Sequence, residues 1–149
     1  MSKLRQDADA IIQAAITAAS RGHRVSKGPI ANFTIREAGH PIPDENSFTA
    51  TQQALDLVSG LTAQDTVLFL LSGGGSALFE KPLIPAADLE ELTHNLLVCG
   101  ADIVEINTLR KRFSGVKGGR FAQLCAPAHV VSIVLSDILG DPLDMIASG

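Results

Sequence analysis

Three polar segments of this 149-residue chain hold the residue types that could do chemistry. The first is Ser72-Gly73-Gly74-Gly75-Ser76, which follows the apolar run Val67–Leu71. Three consecutive glycines let a backbone turn tightly and approach a ligand with no Cβ in the way. If Ser76-Ala77-Leu78 opens a helix, its free N–H groups and positive dipole end face that turn and favour an anion. A ligand-free strand-to-helix loop would look the same, and the spacing is neither a Walker A loop nor a dinucleotide fingerprint. The second segment, Ser136 to Pro142, offers Asp137 and Asp141. A carboxylate at a strand end beside a phosphate loop can take Mg²⁺ or act as a base. Turns and helix caps use Asp just as readily.

The third segment, Glu105 to Arg120, concentrates five of the twelve Lys and Arg residues: Arg110, Lys111, Arg112, Lys117 and Arg120. Lys117-Gly118-Gly119-Arg120 has the form of an anion clasp. Its glycines expose N–H groups, and its cations neutralise phosphate or carboxylate charge. Arg110 suits bidentate binding of such a group. A solvated basic loop is the competing reading, set against a formal net charge of −4 for the whole chain. His40 sits in a proline-rich turn near Asp44 and Glu45, where an acid/base role competes with a plain Asp-capped turn. His23, His94 and His129 share no ligand spacing, so no zinc site is expected.

The elements that must position these residues follow from periodicity. Leu4, Ala8, Ile11, Ile12, Ala15 and Ile16 predict a helix over Leu4–Ala19. Ile30–Glu37 alternates weakly, as a short strand would. Ser47 or Thr49 is expected to cap a helix that runs to about Ser59. Val67–Leu71 and His129–Leu135 read as buried parallel strands, because each is a short continuous apolar run ending in a polar loop. Leu89, Leu92, Leu96 and Leu97 share one face of a helix over Ala87–Gly100. Ile103–Leu109 continues as helix, and Ala122–Ala126 forms a short helix end. Alternating helices and buried strands imply a layered α/β domain with a parallel sheet, whose C-terminal loops line the binding crevice.

Composition sets the limits. The length suits one domain, and 46% hydrophobic residues with no Trp or Tyr leave Ala, Leu, Ile and Val to form the core. The acidic balance argues against generic nucleic-acid binding. No stretch approaches the roughly 18 apolar residues of a membrane span. Acids occupy the N-terminus where a signal peptide would be apolar. Cys99 and Cys125 lie in apolar surroundings without CxxC spacing and are expected as buried free thiols. A soluble cytoplasmic protein acting on small molecules is the expectation, with no nucleic-acid or membrane partner.

Taken together, the motifs resemble one family, the glycerate 2-kinases of the MOFRL type, often labelled hydroxypyruvate reductases. The matching segments are Glu37–Ser47 (EAGHPIPDENS), Leu70–Pro82 (LLSGGGSALFEKP), Gly100–Ala122 (GADIVEINTLRKRFSGVKGGRFA) and Leu135–Gly149 (LSDILGDPLDMIASG), in the family's order. The resemblance implies a Rossmann-like three-layer parallel sheet flanked by helices. It implies transfer of phosphate from ATP, with Mg²⁺, to the 2-hydroxyl of D-glycerate. Asp137, Lys117 and Arg110 would then take catalytic roles. Ser72, Gly73, Gly74, Gly75, Ser76, Asn107, Lys111, Gly118, Gly119 and Arg120 would bind phosphate or substrate, and Asp137 with Asp141 would hold Mg²⁺.

Two departures from the family pattern carry their own expectations. No glycine-lysine-alanine motif lies between the first helix and Glu37–Ser47, and the chain stops at Gly149, where the family continues. Residues 1–149 are therefore expected to be a partial N-terminal domain, without the C-terminal MOFRL domain. Such a domain would not complete the reaction alone and would tend to self-associate. An NAD(P)H-dependent hydroxypyruvate reductase would need a spaced GxGxxG that Ser72–Ser76 lacks. A catalytically dead binding remnant is the other alternative.

Overall fold

A computed structural model describes residues 15–20, 32–136, 140 and 142–149, the first group by backbone alone. Two parallel strand pairs organise them. Strand β1 (Ala15–Ser20) pairs with β2 (Phe33–Ala38), and β3 (Thr66–Leu71) pairs with β4 (His129–Val134). The fold is thus α/β with parallel strands, arranged as two two-stranded sheets. The helices are α1 (Glu45–Val58), α2 (Gly75–Leu78), α3 (Ala86–Val98), α4 (Ile103–Phe113) and α5 (Arg120–Leu124), and a 3₁₀ turn spans Ile146–Ser148.

The strand at Ala15–Ser20 corrects the helix expected over Leu4–Ala19; Leu4 to Ala14 lie outside the described residues. Alanine is a strong helix former, but intrinsic propensity yields to tertiary context, and here parallel pairing with Phe33–Ala38 overrides it. Helix α1 begins earlier than its apolar pattern suggested. Asp44 is the N-cap and accepts from Ser47 N at 3.0 Å, while the Asp44 N–H donates to Ser47 Oγ at 3.2 Å. Ser47 is therefore the fourth member of a capping box rather than the cap itself. A second box starts α4, where Asp102 and Glu105 satisfy each other's backbone N–H groups.

The core lies on one face of the β3–β4 sheet. Val58, Val116, Phe121 and Cys125 are buried there, with Val67, Phe69, Phe79 and Val130 packed against them. The rings of Phe69, Phe79 and Phe121 form a triangle with centroids 5.1–5.2 Å apart, in tilted and edge-to-face pairs. Both strands were expected to be buried on both faces. Leu68, Leu70, Val131 and Ile133 instead face outward, with Leu70 66% exposed. A continuous apolar run suits a doubly covered strand, yet it carries no count of the layers actually present. Cys125 is buried as expected, whereas Cys99 is exposed at the end of α3.

The Phe triangle joins β3, the segment after α2, and α5. Phe121→Ala should therefore lower unfolding free energy by about 3–5 kcal/mol, through lost transfer energy and the cavity left behind. Urea denaturation checks this. A fall below about 1 kcal/mol would mean that the site collapses freely or that the triangle is peripheral.

Candidate active site at the ends of β3 and β4

The register Leu71↔Val134 brings the C-terminal ends of the two strands side by side. The bond from Leu135 N to Leu71 O, 2.8 Å, extends that pairing by one residue. Both strand-end loops leave from the same edge. The first is the glycine loop. Ser72 and Gly73 are exposed, Gly74 and Ser76 half-buried, and Gly75 buried. Gly74 adopts φ +89°, a conformation that side chains other than glycine rarely hold. A Cβ there would also lie 3.1 Å from the His40 ring and 3.2 Å from Leu78 Cδ1. The helix that follows is a single turn, Gly75–Leu78, with Ala77 N and Leu78 N both bonded to Gly74 O at 3.0 Å.

The second loop returns to the glycine loop through the Ile146–Ser148 turn. Ser148 is fully buried, and its Oγ donates to Asn107 Oδ1 at 3.0 Å and lies 3.0 Å from Ser76 Oγ. The Asn107 amide nitrogen faces Met145 Sδ at 3.9 Å. From α4, Arg110 donates through Nη2 to Ser76 O at 3.1 Å. Its Nε is buried and has no partner among the described residues. Of the expected site residues, Arg110 reaches Ser76 directly, Lys117 reaches Gly75, and Asn107 reaches Ser76 through Ser148.

Lys117 occupies a different place from a solvent-facing clasp. It is 3% exposed, and its Nζ donates to Phe79 O and Ala147 O, each at 2.9 Å, and to Gly75 O at 3.3 Å. All three of its protons therefore go to backbone carbonyls. Burial pushes its pKa down from 10.5 to about 8. The Glu80 carboxylate pulls it back up, and the nearby Arg110 adds to the depression. Ser114 and an antiparallel bridge seat the lysine. Leu83 N donates to Phe113 O at 2.8 Å, Gly115 N to Lys81 O at 2.7 Å, and Ser114 Oγ accepts from Lys117 N at 3.4 Å.

Arg120 also turns inward. Its Nη1 bonds to Lys111 O and, at 2.7 Å, to Ser114 O, so it closes the C-terminal end of α4. Gly118 and Gly119 are exposed. The Lys111 amine lies beside Gly149, 2.9 Å from where a Cβ would stand. The two carboxylates expected to hold Mg²⁺, Asp137 and Asp141, lie outside the described residues. Among the described residues no group of three or more His, Cys, Asp or Glu could hold a metal ion. His40 is exposed and lies over Gly74.

Sequence reasoning missed two buried groups. Glu80 is fully buried; its Oε1 accepts from Lys81 N at 2.9 Å, and its Oε2 has no partner among the described residues. Thr51 on α1 accepts from Glu80 N at 3.0 Å. Next to Lys81 and Pro82, Glu80 has the local signature of a surface connection. Thr51 fixes its backbone, and its carboxylate lies where it interacts with the buried Lys117 ammonium.

A family model described as "Domain of unknown function (DUF4147)" matches residues 1–149. The chain belongs to the DUF4147 family. D-glycerate 2-kinase of Thermotoga maritima is 56% identical over 140 residues, 93% of this chain and 33% of the relative. A protein of Agrobacterium vitis named as a putative hydroxypyruvate reductase is 45% identical over 130 residues, 86% of this chain and 33% of the relative. The crystal structure of Thermotoga maritima glycerate kinase superposes with a TM-score of 0.87 at 56% identity, covering 91% of this chain and 33% of that one. The chain spans about a third of the length of these relatives.

Two outcomes follow from this DUF4147 site. Gly74→Val places a branched side chain at φ +89° against His40 and Leu78. It should strain the loop by about 1–2 kcal/mol or more. Calorimetry with inorganic phosphate should then show anion binding weakened relative to the unsubstituted chain while circular dichroism stays native; unchanged affinity would remove the loop from the site. The second concerns pH. Lys117 binds its proton less tightly folded than unfolded, so its burial cost is fully present below about pH 8 and is relieved as pH rises toward 10.5. That contribution should raise global stability across this window and be missing in Lys117→Met, as denaturant titrations at pH 7.5 and 10 would read.

Proposed function

We propose that this chain forms the glycine-loop and cation wall of a kinase site. That site moves the γ-phosphoryl group of ATP to the 2-hydroxyl of D-glycerate, giving ADP and 2-phosphoglycerate. One observation carries the reading. The glycine loop, Arg110 and the buried Ser148 turn meet at the C-terminal edge of parallel strands, in a family whose 56%-identical relative is named D-glycerate 2-kinase. Such edges are where α/β folds bind ligands.

The residues present suit anionic reactants. Gly74 leaves a backbone hollow that a Cβ would fill, and Arg110 brings a guanidinium with one unpaired donor to Ser76. Phosphoryl transfer relies on positioning and charge neutralisation more than on covalent chemistry. In this reading the hydroxyl oxygen of glycerate attacks the γ-phosphorus, the bond to the β-phosphate oxygen breaks, and the hydroxyl proton leaves. Arg110 offsets the negative charge of phosphate or of the glycerate carboxylate. Lys111, beside Gly149, adds positive charge at the same edge. Asp137 and Asp141 would hold Mg²⁺ together with the nucleotide, and the ion would neutralise phosphate charge there. A cytoplasmic protein acting on small molecules, and not on nucleic acid, fits this chemistry; no described helix is long and apolar enough to cross a membrane.

The reductase reading lacks support in the chain itself, since no spaced GxGxxG follows β3 or β4. Calorimetry with ATP and Mg²⁺ is the direct test. Binding is expected, and Arg110→Ala should weaken it about tenfold or more, the scale of a charge-assisted hydrogen bond. Any phosphoryl transfer to D-glycerate should yield 2-phosphoglycerate by NMR. NADH oxidation driven by hydroxypyruvate, with no ATP binding, would overturn the reading.

A further inference from the structure

We propose that Lys117 is a positioning residue that locks the two strand-end loops together from behind, and that it does not touch substrate. The geometry is specific. Its ammonium bonds to Gly75 O in the glycine loop, to Phe79 O just after α2, and to Ala147 O in the closing turn. These three carbonyls belong to two loops more than sixty residues apart in sequence, and one side chain from a third segment joins them. A buried lysine with three acceptors has no donor left for a phosphate oxygen. Its effect on a ligand must therefore pass through the backbone that it holds.

The lock has independent support from the hydroxyls. Asn107 turns its amide nitrogen to Met145, so its oxygen accepts from Ser148. Ser148 has spent its single proton and accepts from Ser76. This second tie joins the same two loops within a few residues of the lysine. The backbone of the closing turn is strained, with φ of +53° at Ala147 and +66° at Ser148, although neither residue is glycine. Non-glycine residues keep such angles only where the surroundings hold them, and here Lys117 and Asn107 do so.

The charged groups around the ammonium bear on what titrates. Glu80, just after α2, and Arg110, from α4, act on it directly; Lys111 lies beside Gly149 and His40 over Gly74. Deprotonation of Lys117 removes one of its three donors. That change in hydrogen bonding near pH 8 should register at both loops at once.

This inference rests on the kinase reading only for its consequence in catalysis, so its test needs no turnover. In the wild-type chain, the ¹³C shifts of the Gly75, Phe79 and Ala147 carbonyls should titrate together with Lys117, with one midpoint near 8. In Lys117→Met, amide exchange in Gly73–Phe79 and Met145–Gly149 should quicken about tenfold or more while α1 and the β3–β4 ladder keep their protection. Lys117→Arg should restore part of that protection and abolish the titration. Separate midpoints for the three carbonyls, or an even rise in exchange across the whole chain, would overturn the lock whether or not the protein proves to be a kinase. If the Met variant fails to fold, the wild-type titration alone decides. Failure of ATP to bind with the common midpoint intact would sink the kinase reading and leave the lock standing.

Discussion

A buried ammonium must replace its lost water with protein acceptors, and most of the site follows from how this chain does so. Lys117 would be costly in an apolar interior without compensation. The fold supplies three carbonyls, and each comes from a place where regular structure has ended. Gly75 O and Phe79 O bracket the single turn of α2, and Ala147 O lies in a 3₁₀ turn. Such ends leave Phe79 O and Ala147 O open to an outside donor, while Gly75 O takes the lysine in addition to the Phe79 N–H at 3.2 Å. The lysine and the broken backbone therefore satisfy each other. A longer α2 would draw Phe79 O into its own ladder and cost the ammonium one of its acceptors.

The same requirement explains why the segment after α4 is rich in glycine and yet ordered. Lys117 must enter from behind the glycine loop, so the chain reverses just beyond α4. Ser114 anchors the reversal through its bridge to Pro82, and Arg120 draws the last carbonyls of α4 into the fold. Gly118 and Gly119 take positive φ, which lets the chain pass over Lys111 and start α5 within a few residues. Phe121 then drops into the aromatic triangle with Phe69 and Phe79. The apolar packing of Phe79 and the polar bond to its carbonyl thus hold one residue from two sides.

Much of this frame was legible in the sequence. The apolar runs marked β3 and β4 to within a residue or two, and the glycines marked where the first of them turns. Helix α3 followed from leucine spacing, and α4 was expected over Ile103–Leu109, one turn short of its end at Phe113. What escaped depended on contacts between distant segments. Ala15–Ser20 has the composition of a helix end, and only pairing with Phe33–Ala38 makes it a strand. Lys117-Gly118-Gly119-Arg120 has the composition of a solvated loop. Local sequence carries no sign that carbonyls from residues 75, 79 and 147 await the lysine. Ser148 looks equally unremarkable beside Gly149, although it sits at the centre of a hydrogen-bond chain from Ser76 to Asn107.

Glu80 completes the electrostatic logic. Arg110 lies close enough to Lys117 to weaken the lysine's hold on its proton. A fully buried carboxylate beside them offsets that repulsion, and its backbone is fixed by Thr51 from α1. One carboxylate against two cations leaves a positive excess at the inner wall of the glycine loop. That excess is costly in the absence of an anion and favourable in its presence. The Nε of Arg110, without a partner among the described residues, is the structural mark of the same imbalance. A fold selected only for stability would gain by replacing such a group with an apolar one. At the edge of two parallel strands, such a group suits a bound anion.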